Sequence, residues 1–555
     1  MTGPVIPMAT LIDASAIDYL ILVIYFAFVL GIGFLAKSQV SESLDFFLSG
    51  RSLPAWVTGL AFISANLGAV EIMGMSASGA DFGIATVHYF WIGAIPAMLF
   101  LGVVMMPFYY GSKVRSVPEY MLRRFGPGAH LVNAISFAVA QLLIAGINLY
   151  LLSSILHALL GWPLLVALVV AAVIVLSYIT LGGLSAAIYN EVLQFFVIVA
   201  ALLPLTVVGL VDVGGWSGLQ EKVRQSDLGE AALHALEGTN PGDVTNPIAA
   251  SWIGIVFGLG FVLAFGYWTT NFAEVQRALS AKTLGAARRT PLIGAYPKAL
   301  IPAVTIIPGL VAVATIKGLG GGENLDYNNA IPLLMNEYLP NGMLGVALAG
   351  LLAAFMAGVA ANVSAFNTVV TYDLWQDYVR PDQSDEYYIG FGRIATVVGI
   401  GVGILTALIA SGYQNIMDYI QLLFSFFNAP LFATFIIGMF WRRTTSAGGF
   451  WGIVAGTLGA IVAHFAHVWD IVNLGTDQTA AFWGAIAAFV ADAVVTVAVS
   501  LATQPKPVEK LQGLVYGMAN DPGREPRSER VWYRRPQLLA GGVVAMTAGL
   551  SFMFI

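Results

Sequence analysis

Three ionisable side chains lie in segments of the chain that are otherwise almost entirely apolar. They are Glu71, in a run rich in glycine and alanine, Lys298, next to Pro297, and Asp492, in a run of alanine and valine. In a lipid bilayer such a charge costs at least a few kcal/mol unless it is paired or hydrated. Residues of this kind bind ions or polar solutes, form structural pairs, or extend towards the membrane surface.

Polar residues and glycine also interrupt two apolar segments, at Ser64–Gly68 and at Ala264–Asn271. Each run is a poor place to keep a helix continuous. Inside a membrane, unwound backbone is tolerated where it lines a cavity, and there it can coordinate ions or a solute. The two interruptions therefore predict a binding site within the membrane, built from broken helices.

The composition defines the class of protein that must position these residues. Of 555 residues, 58% are hydrophobic and 10% are charged, against about 25% charged in soluble domains. This balance excludes a soluble enzyme, a disordered chain and a nucleic-acid-binding protein. The absence of cysteine excludes disulfides and thiolate metal sites. The sequence contains no P-loop and no HExxH motif, so neither enzymatic activity nor a cofactor is expected.

Stretches of about 20 apolar residues are long enough to cross a bilayer. The sequence predicts fourteen, at 17–36, 54–79, 85–109, 129–157, 160–181, 185–212, 249–272, 291–316, 342–372, 389–411, 416–441, 445–467, 480–503 and 537–555. Most of the 25 Lys and Arg residues fall in alternate loops. The positive-inside rule then predicts a multi-pass protein of the cell membrane with both termini extracellular or periplasmic.

The two interrupted spans are five spans apart in this arrangement. Because five is odd, two five-helix units would have opposite orientations, which is the inverted repeat of secondary transporters. A membrane-embedded subunit of a proton-pumping enzyme is the alternative from another class, but it would repeat ionisable residues across a central membrane plane. A channel or sensor is a third alternative.

Several short motifs carry a resemblance to a known family. They are Phe46–Arg51, Ser64–Asn66, Gly74–Gly79, Val117–Tyr120, Gly182–Ala186, Glu191–Gln194, Tyr267–Trp268, Gln276–Lys282 and Phe440–Thr445. Together and in this order they resemble the solute:sodium symporter family, in its sodium/glucose-cotransporter branch. The resemblance implies an all-α polytopic membrane protein with a LeuT-type inverted-repeat fold.

The implied division of the chain has five parts. These are an extra N-terminal helix and loop (1–53), a first five-helix repeat (54–212), an extracellular loop (213–248), a second five-helix repeat (249–441) and three further helices (442–555). The implied function is symport of a small polar solute, such as a sugar or polyol, by alternating access and coupled to a cation gradient. Membrane lipids are expected partners, whereas nucleic acid and an obligate protein partner are not.

The resemblance also implies a substrate site, formed here by Asn66, Glu71, Tyr267, Trp268, Lys298 and Gln421. Tyr267 would be an intracellular gate, and Glu71 and Lys298 should interact electrostatically. Three positions depart from the sugar-binding pattern. Glu71 replaces a glutamine, Phe90 replaces a glutamate, and Ala264 replaces an asparagine. Lost hydrogen-bonding groups argue against glucose or galactose, since a buried polar solute needs its bonds met.

The implied ion site departs further. Backbone carbonyls of Ser64, Leu67 and Ala354 correspond to ligands of the family's shared sodium site, but Ala357 and Gly358 stand where two hydroxyl ligands would be. The coupling ion is thus Na+ or H+.

The missing hydroxyls predict transport without sodium at this site, and coupling, if any, to protons through Glu71 with Glu191 as a relay. Alternatively, Glu71 supplies the missing oxygens and sodium still binds, because carboxylates are good ligands for hard cations.

Overall fold

The computed structural model describes residues 12–37, 52–68, 70–112, 117–321, 326–413, 415–518 and 531–554. The motif at Phe46–Arg51 lies outside these ranges. For the Gly182–Ala186 motif the structure describes the backbone, which is helical, but not the side chains. Almost every described element is a helix, as the apolar sequence predicts.

The described residues of the first half of the chain form nine α-helices. They are α1 (Ala16–Lys37), α2 (Ala55–Asn66), α3 (Met75–Phe82), α4 (Ile95–Phe100), α5 (Met106–Ser112), α6 (Val117–Phe125), α7 (Pro127–Leu160), α8 (Leu164–Asp212) and α9 (Gly215–Arg224). Short π-helices extend α3, α4 and α5 at Val70–Gly74, Tyr89–Ala94 and Leu101–Met105. The loop after α9 carries a small antiparallel hairpin, with β1 (Thr239–Asn240) paired to β2 (Asp243–Val244).

The second half forms eleven α-helices among the described residues. They are α10 (Phe265–Thr270), α11 (Phe272–Leu279), α12 (Leu284–Leu300), α13 (Pro302–Thr315), α14 (Ala330–Tyr338), α15 (Met343–Thr368), α16 (Asp385–Ala410), α17 (Ile416–Phe440), α18 (Ser446–Val468), α19 (Asp477–Ala502) and α20 (Pro536–Ser551). A π-helix precedes α10 at Gly254–Ala264, and another continues α15 at Val369–Val379.

The described helices support the predicted spans to different degrees. Nine helices are long and apolar enough to cross a membrane, and two bent helix pairs pass the same test together. Three shorter apolar helices, Ala16–Phe28, Leu164–Ser177 and Pro536–Ser551, lie at the positions of predicted spans. Each of the fourteen predicted segments thus has a helix at its position, and the total of fourteen crossings stays a prediction.

The sequence predicts two separate helices at 160–181 and 185–212, and this prediction is wrong because the backbone stays helical from one segment to the next. The structure has a single continuous helix there, α8, of 49 residues. Two adjacent glycines, Gly182 and Gly183, lie between the two predicted segments, within this helix. Because glycine costs only about 1 kcal/mol in a helix interior, a helix can continue through it when the residues on both sides favour a helix.

Helix α15 lies at the centre of the molecule, and nearly all of its side chains are buried. It packs against α7, α8 and α2, which places its small residues beside the broken helices. By contrast, α18 and α19 expose large hydrophobic residues such as Val462 and Leu501. Such faces are lipid-facing in a membrane protein, where apolar side chains lose nothing by leaving the core.

Candidate functional site

The first interrupted span breaks directly after Asn66. Helix α2 ends there, Leu67 leaves the helical conformation at ψ 43°, and helical backbone resumes at Val70. The two arms are bent by 59°. Small residues at the break leave backbone carbonyls available to other ligands, because few side chains cover them. The sequence predicts this break correctly.

The second interrupted span breaks at Asn271, at the end of the predicted run. Asn271 has an extended conformation (φ −72°, ψ 111°), and its side-chain oxygen accepts a hydrogen bond from the Ala273 amide. Asparagine side chains compete in this way with the helical backbone and favour caps. The arms on either side are bent by 49°. This break separates α10 from α11.

Between the two breaks lies a cavity. All six predicted substrate residues line it, namely Asn66, Glu71, Tyr267, Trp268, Lys298 and Gln421. Three further polar side chains, Asn148, Glu274 and Asn362, also line it. The remaining wall is largely apolar and aromatic. A few polar groups in a largely apolar cavity are typical of a small-molecule site.

Glu71 and Lys298 form an ion pair in the wall of the cavity. The Lys298 ammonium also donates to Asn66 Oδ1 at 2.5 Å, and it lies over the rings of Phe90 (4.7 Å) and Trp268 (5.2 Å). Lys298 is 2% exposed and Glu71 is 14% exposed at the side chain. The structure therefore brings together the two charges that the sequence predicts to be coupled.

Phe90 and Glu71 together account for one departure from the sugar-binding pattern. Where the resemblance implies a glutamate, the Phe90 ring lies beneath the Lys298 ammonium, a favourable cation–π arrangement. The carboxylate partner of Lys298 comes instead from Glu71. The buried cation keeps an anionic partner, but this partner approaches from a different helix.

Tyr267 closes one side of the cavity. Its hydroxyl accepts a hydrogen bond from Asn66 Nδ2 (3.1 Å) and donates one to Glu274 Oε1 (2.8 Å). Its ring contacts Trp268 and Phe424, with centroids 5.3 and 4.9 Å away. Both broken helices are thus joined through one tyrosine hydroxyl, which suits the predicted role of a gate.

Glu274 is a site residue that the sequence analysis missed. It lies just beyond the predicted span and is 1% exposed. The spacing Asn271–Glu274 is that of a capping box, in which the carboxylate would return to the amide of the cap residue. In the structure the carboxylate accepts the hydrogen bond from Tyr267 instead. That spacing, next to an interrupted span, is the sequence signal that could have identified it.

Glu191 pairs with Arg277 outside the wall of this cavity. Their closest atoms are 2.5 Å apart, and both side chains are fully buried. Arg277 also donates to the Ala273 carbonyl at 2.6 Å. The ion pair therefore joins α8 to α11, the helix that carries Glu274. The relay role predicted for Glu191 stays a prediction.

The predicted ion-site residues lie where α2 meets α15. Ser64 and Leu67 are at the end of α2, and Ala354, Ala357 and Gly358 are on the buried face of α15. Ala357 and Gly358 have no side-chain oxygen, as the sequence shows. The backbone carbonyls alone would leave a sodium ion with too few ligands, since hard cations favour a full oxygen shell.

Asn148, from α7, reaches into this same place. Its Oδ1 lies only 2.4 Å from where a Cβ on Gly358 would be, and 2.9 Å from where a Cβ on Gly68 would be. The Ala354 carbonyl is 3.6 Å from the latter point. Glycine at both positions therefore makes room for an amide oxygen beside the helix break. The sequence analysis missed Asn148, a single polar residue in a long apolar span.

Asp492 does not line the cavity. It lies on α19 and accepts hydrogen bonds from Thr434 Oγ1 (2.6 Å) and Thr496 Oγ1 (3.0 Å). Its environment is that of a structural contact between α17 and α19.

Two broken helices around a polar cavity with an ion pair, in a chain rich in apolar helices, are the arrangement of a secondary transporter. Residues 46–456 match the family described as "Sodium:solute symporter family", and the chain belongs to that family. It is a multi-pass membrane protein and a secondary active symporter that moves a small polar solute, coupled to a cation gradient.

Individual relatives agree with this assignment. The chain is 30% identical to the sodium/glucose cotransporter of Vibrio parahaemolyticus over 472 residues, which covers 81% of this chain and 86% of that protein. It is 29% identical to sodium/myo-inositol cotransporter 2 of Oryctolagus cuniculus over 548 residues, covering 91% and 79%. These relatives are transporters.

Solved structures give the fold. A Na+-coupled sialic acid symporter in a substrate-bound outward-open state matches with a TM-score of 0.73 at 19% identity, covering 89% of this chain and all of that one. Mhp1, a nucleobase-cation-symport-1 family transporter, matches at 0.51 and 13%, covering 84% and 97%. The fold is therefore of the LeuT type, as the resemblance implies.

Proposed function

We propose that this protein is a sodium-coupled symporter for a sugar or polyol. The cavity supports a polyhydroxylated solute because Tyr267 and Trp268 offer flat apolar faces. Asn66, Gln421 and Glu71 offer hydrogen-bonding groups beside them. Carbohydrates present both kinds of surface, and polar anchors within an apolar wall fix such a solute. The named relatives transport glucose and myo-inositol.

The observation that carries sodium as the coupling ion is the position of Asn148. Its amide oxygen lies beside the break at Gly68 and the Ala354 carbonyl, close to the place of the two missing hydroxyls. An amide oxygen is a good ligand for a hard cation. This proposal departs from the expectation of sodium independence, which considered only the ligands on α2 and α15.

The proposal also limits the roles of the two predicted coupling carboxylates. Glu71 is held by Lys298, and Glu191 is held by Arg277. A carboxylate in a buried ion pair gives up its partner at a cost of several kcal/mol, about 3–5 in measured cases. Asn148 can offer an oxygen to sodium without breaking either pair.

The test is uptake of a panel of sugars and polyols into proteoliposomes, with sodium or with choline in its place. We expect uptake to require sodium. Asn148→Leu should raise the sodium concentration for half-maximal uptake by about tenfold or more, the equivalent of about 1.4 kcal/mol. Ser153→Ala is the matched control, because Ser153 is on the same helix and donates to the Tyr150 carbonyl. Full uptake in choline would refute sodium coupling.

The arrangement in the membrane belongs to the same proposal. Both termini are on the extracellular or periplasmic face of the cell membrane, and the five parts of the chain have the boundaries given above. The protein acts without enzymatic activity, cofactor or obligate protein partner. Because the chain contains no cysteine, single cysteines at Asp13 and Asp385 can be labelled with an impermeant reagent. Labelling from outside at Asp13 and not at Asp385 is the expected result.

A further inference from the structure

Five charged side chains around the two helix breaks, four of them buried and Glu71 partly exposed, form two ion pairs and leave one carboxylate. Glu71 pairs with Lys298, and Glu191 pairs with Arg277. Glu274 has a neutral partner, the Tyr267 hydroxyl. If all five were ionised, the group would carry one excess negative charge. An uncompensated charge inside a membrane protein is costly and marks a place where a cation binds.

Glu274 has room for that cation. Its Oε2 atom is buried and accepts no hydrogen bond among the described residues, whereas its Oε1 accepts from Tyr267. The side chain is 1% exposed but lines the cavity, so the cavity gives it a route to the transport pathway. Uptake of a proton removes the charge of such a carboxylate, which is costly to bury without a donor.

The surroundings of Glu274 are well defined. The ionisable groups that act on it are Tyr267 on α10, Arg277 on its own helix, Glu191 on α8 and Lys298 on α12. Helices α2 and α15, which also pack against α11, contain no ionisable residue, and α5 contains only Tyr109 and Tyr110. The nearest compensating cation, Arg277, is engaged by Glu191.

We propose that Glu274 is a proton-binding site that controls the Tyr267 gate. This inference rests on the proposed symporter function and extends it. Ionised Glu274 holds Tyr267 by a charge-assisted hydrogen bond, about twice as strong as a neutral one. A proton on Glu274 weakens that bond and removes the excess negative charge. Protonation therefore favours the conformation in which Tyr267 leaves the cavity, as any ligand favours the state that binds it better.

The hydrogen bonds show how this effect reaches the rest of the site. Glu274 accepts from Tyr267, Tyr267 accepts from Asn66, and Asn66 accepts from Lys298. The chain of bonds connects α11 to α2 and α12 across the cavity. A change of charge at Glu274 therefore changes the hydrogen bonding of Lys298, which lies at the other end of this chain of bonds and pairs with Glu71.

The experiment measures uptake at saturating sodium between about pH 5.5 and about pH 8, the range in which a perturbed carboxyl group titrates. Uptake by the unmodified protein should change by about tenfold over two pH units, as expected for a single titrating group. Glu274→Gln keeps the shape of the protonated side chain and should flatten this profile to less than about twofold. Asp492→Asn, a buried carboxylate away from the cavity, should leave the profile unchanged. An unflattened profile in Glu274→Gln would overturn the proposal.

A second measurement needs no transported solute and so separates this inference from the proposed function. An infrared difference spectrum between the two pH values should contain one protonated carboxyl band that the unmodified protein and Asp492→Asn share and that Glu274→Gln lacks. Other carboxyl groups that titrate in this range, such as Asp326, contribute equally to all three spectra and cancel when the spectra are compared. If Glu274→Gln fails to fold, Tyr267→Phe supplies the test. Removing the hydroxyl that stabilises the ionised form should move the band's midpoint to higher pH. An unmoved midpoint would refute the link between Glu274 and Tyr267.

Discussion

Glu71 and Asp492 are both acidic residues inside apolar spans, but the structure gives them different surroundings. Glu71 follows a break in its helix, contacts a lysine and lines a cavity. Asp492 lies in the continuous helix α19 and accepts hydrogen bonds from two threonine hydroxyls. The comparison shows that the partner distinguishes the roles. A cationic partner beside unwound backbone marks a polar pathway, whereas hydroxyl partners on regular helices mark a packing contact.

Glycine packing supports this assignment for Asp492. A Cβ on Gly452 would lie 1.9 Å from Thr496 Oγ1 and 3.0 Å from Asp492 Oδ1. Helix α18 therefore approaches α19 closely at the Asp492 cluster. Close approach through small residues, with polar side chains bonding across helices, is how membrane helices associate. The cluster holds the C-terminal helices together, and the transport pathway lies elsewhere.

The largest effect should follow from breaking the Glu71–Lys298 pair. Lys298→Met leaves the largely enclosed Glu71 carboxylate without its cation, so the free energy of unfolding should fall by about 3 kcal/mol and uptake should be lost. Stability is measured by unfolding in detergent micelles, and transport by uptake into proteoliposomes.

The double variant Lys298→Met with Glu71→Gln sharpens this test. It leaves no unpaired charge, so it should recover more than half of the lost stability while uptake stays lost. Equal stability of the single and double variants would show that the ion pair is not the reason for the loss.

A smaller effect, on stability alone, should follow from changing Asp492. Asp492→Asn keeps one acceptor oxygen and replaces the other with an NH2 group. One of the two hydroxyls, that of Thr434 or that of Thr496, then loses its acceptor. The expected loss is about 1–3 kcal/mol in the free energy of unfolding. The sodium and solute concentrations for half-maximal uptake should be unchanged. A shift in either concentration would place Asp492 on the transport pathway and contradict the distinction drawn between Asp492 and Glu71.

The sequence predicts most of the fold and part of the site because these depend on local patterns. Apolar runs locate the helices, and glycine with polar residues locates the break at Asn66. The pairing of Glu71 with Lys298 follows from the cost of burying either alone, together with the family resemblance. Each of these features can be recognised within one segment or one pair of segments.

The residues that the sequence analysis missed depend on how distant helices meet. Asn148 matters because α7 brings its amide to Gly358 of α15, and no pattern within either helix predicts that contact. Glu274 resembles an ordinary capping residue until Tyr267 is seen to lie beside it. The backbone of α8 continues through Gly182 and Gly183 because glycine imposes only a modest local penalty of about 1 kcal/mol, which the apolar pattern alone does not weigh.

The smallest effect concerns a third kind of carboxylate, outside the spans. Asp326 lies in the loop before α14, where its side chain accepts from Asn329 Nδ2 at 3.2 Å. Burial raises the pKa of Asp326 to about 6, although backbone hydrogen bonds with Asn329 and Asn328 oppose the shift. The partners here are amides rather than a cation or hydroxyls. The cost of its charge should therefore be visible in stability alone.

The sign of the effect follows from linkage. Since the pKa is higher in the folded protein, the folded state binds the proton more tightly. Stability should fall as pH rises from about 4 to about 6 and stay lower above that range. Because the side chain is partly exposed, solvent screening reduces the effect to about 1 kcal/mol. Asp326→Asn should therefore be more stable than the unmodified protein at about pH 7 and equally stable near pH 4. Thermal unfolding at both pH values measures this, with Asp243→Asn in the exposed hairpin as the control. A variant less stable at neutral pH would show that the Asp326 charge stabilises the loop, in which case its amide partners compensate fully for burial.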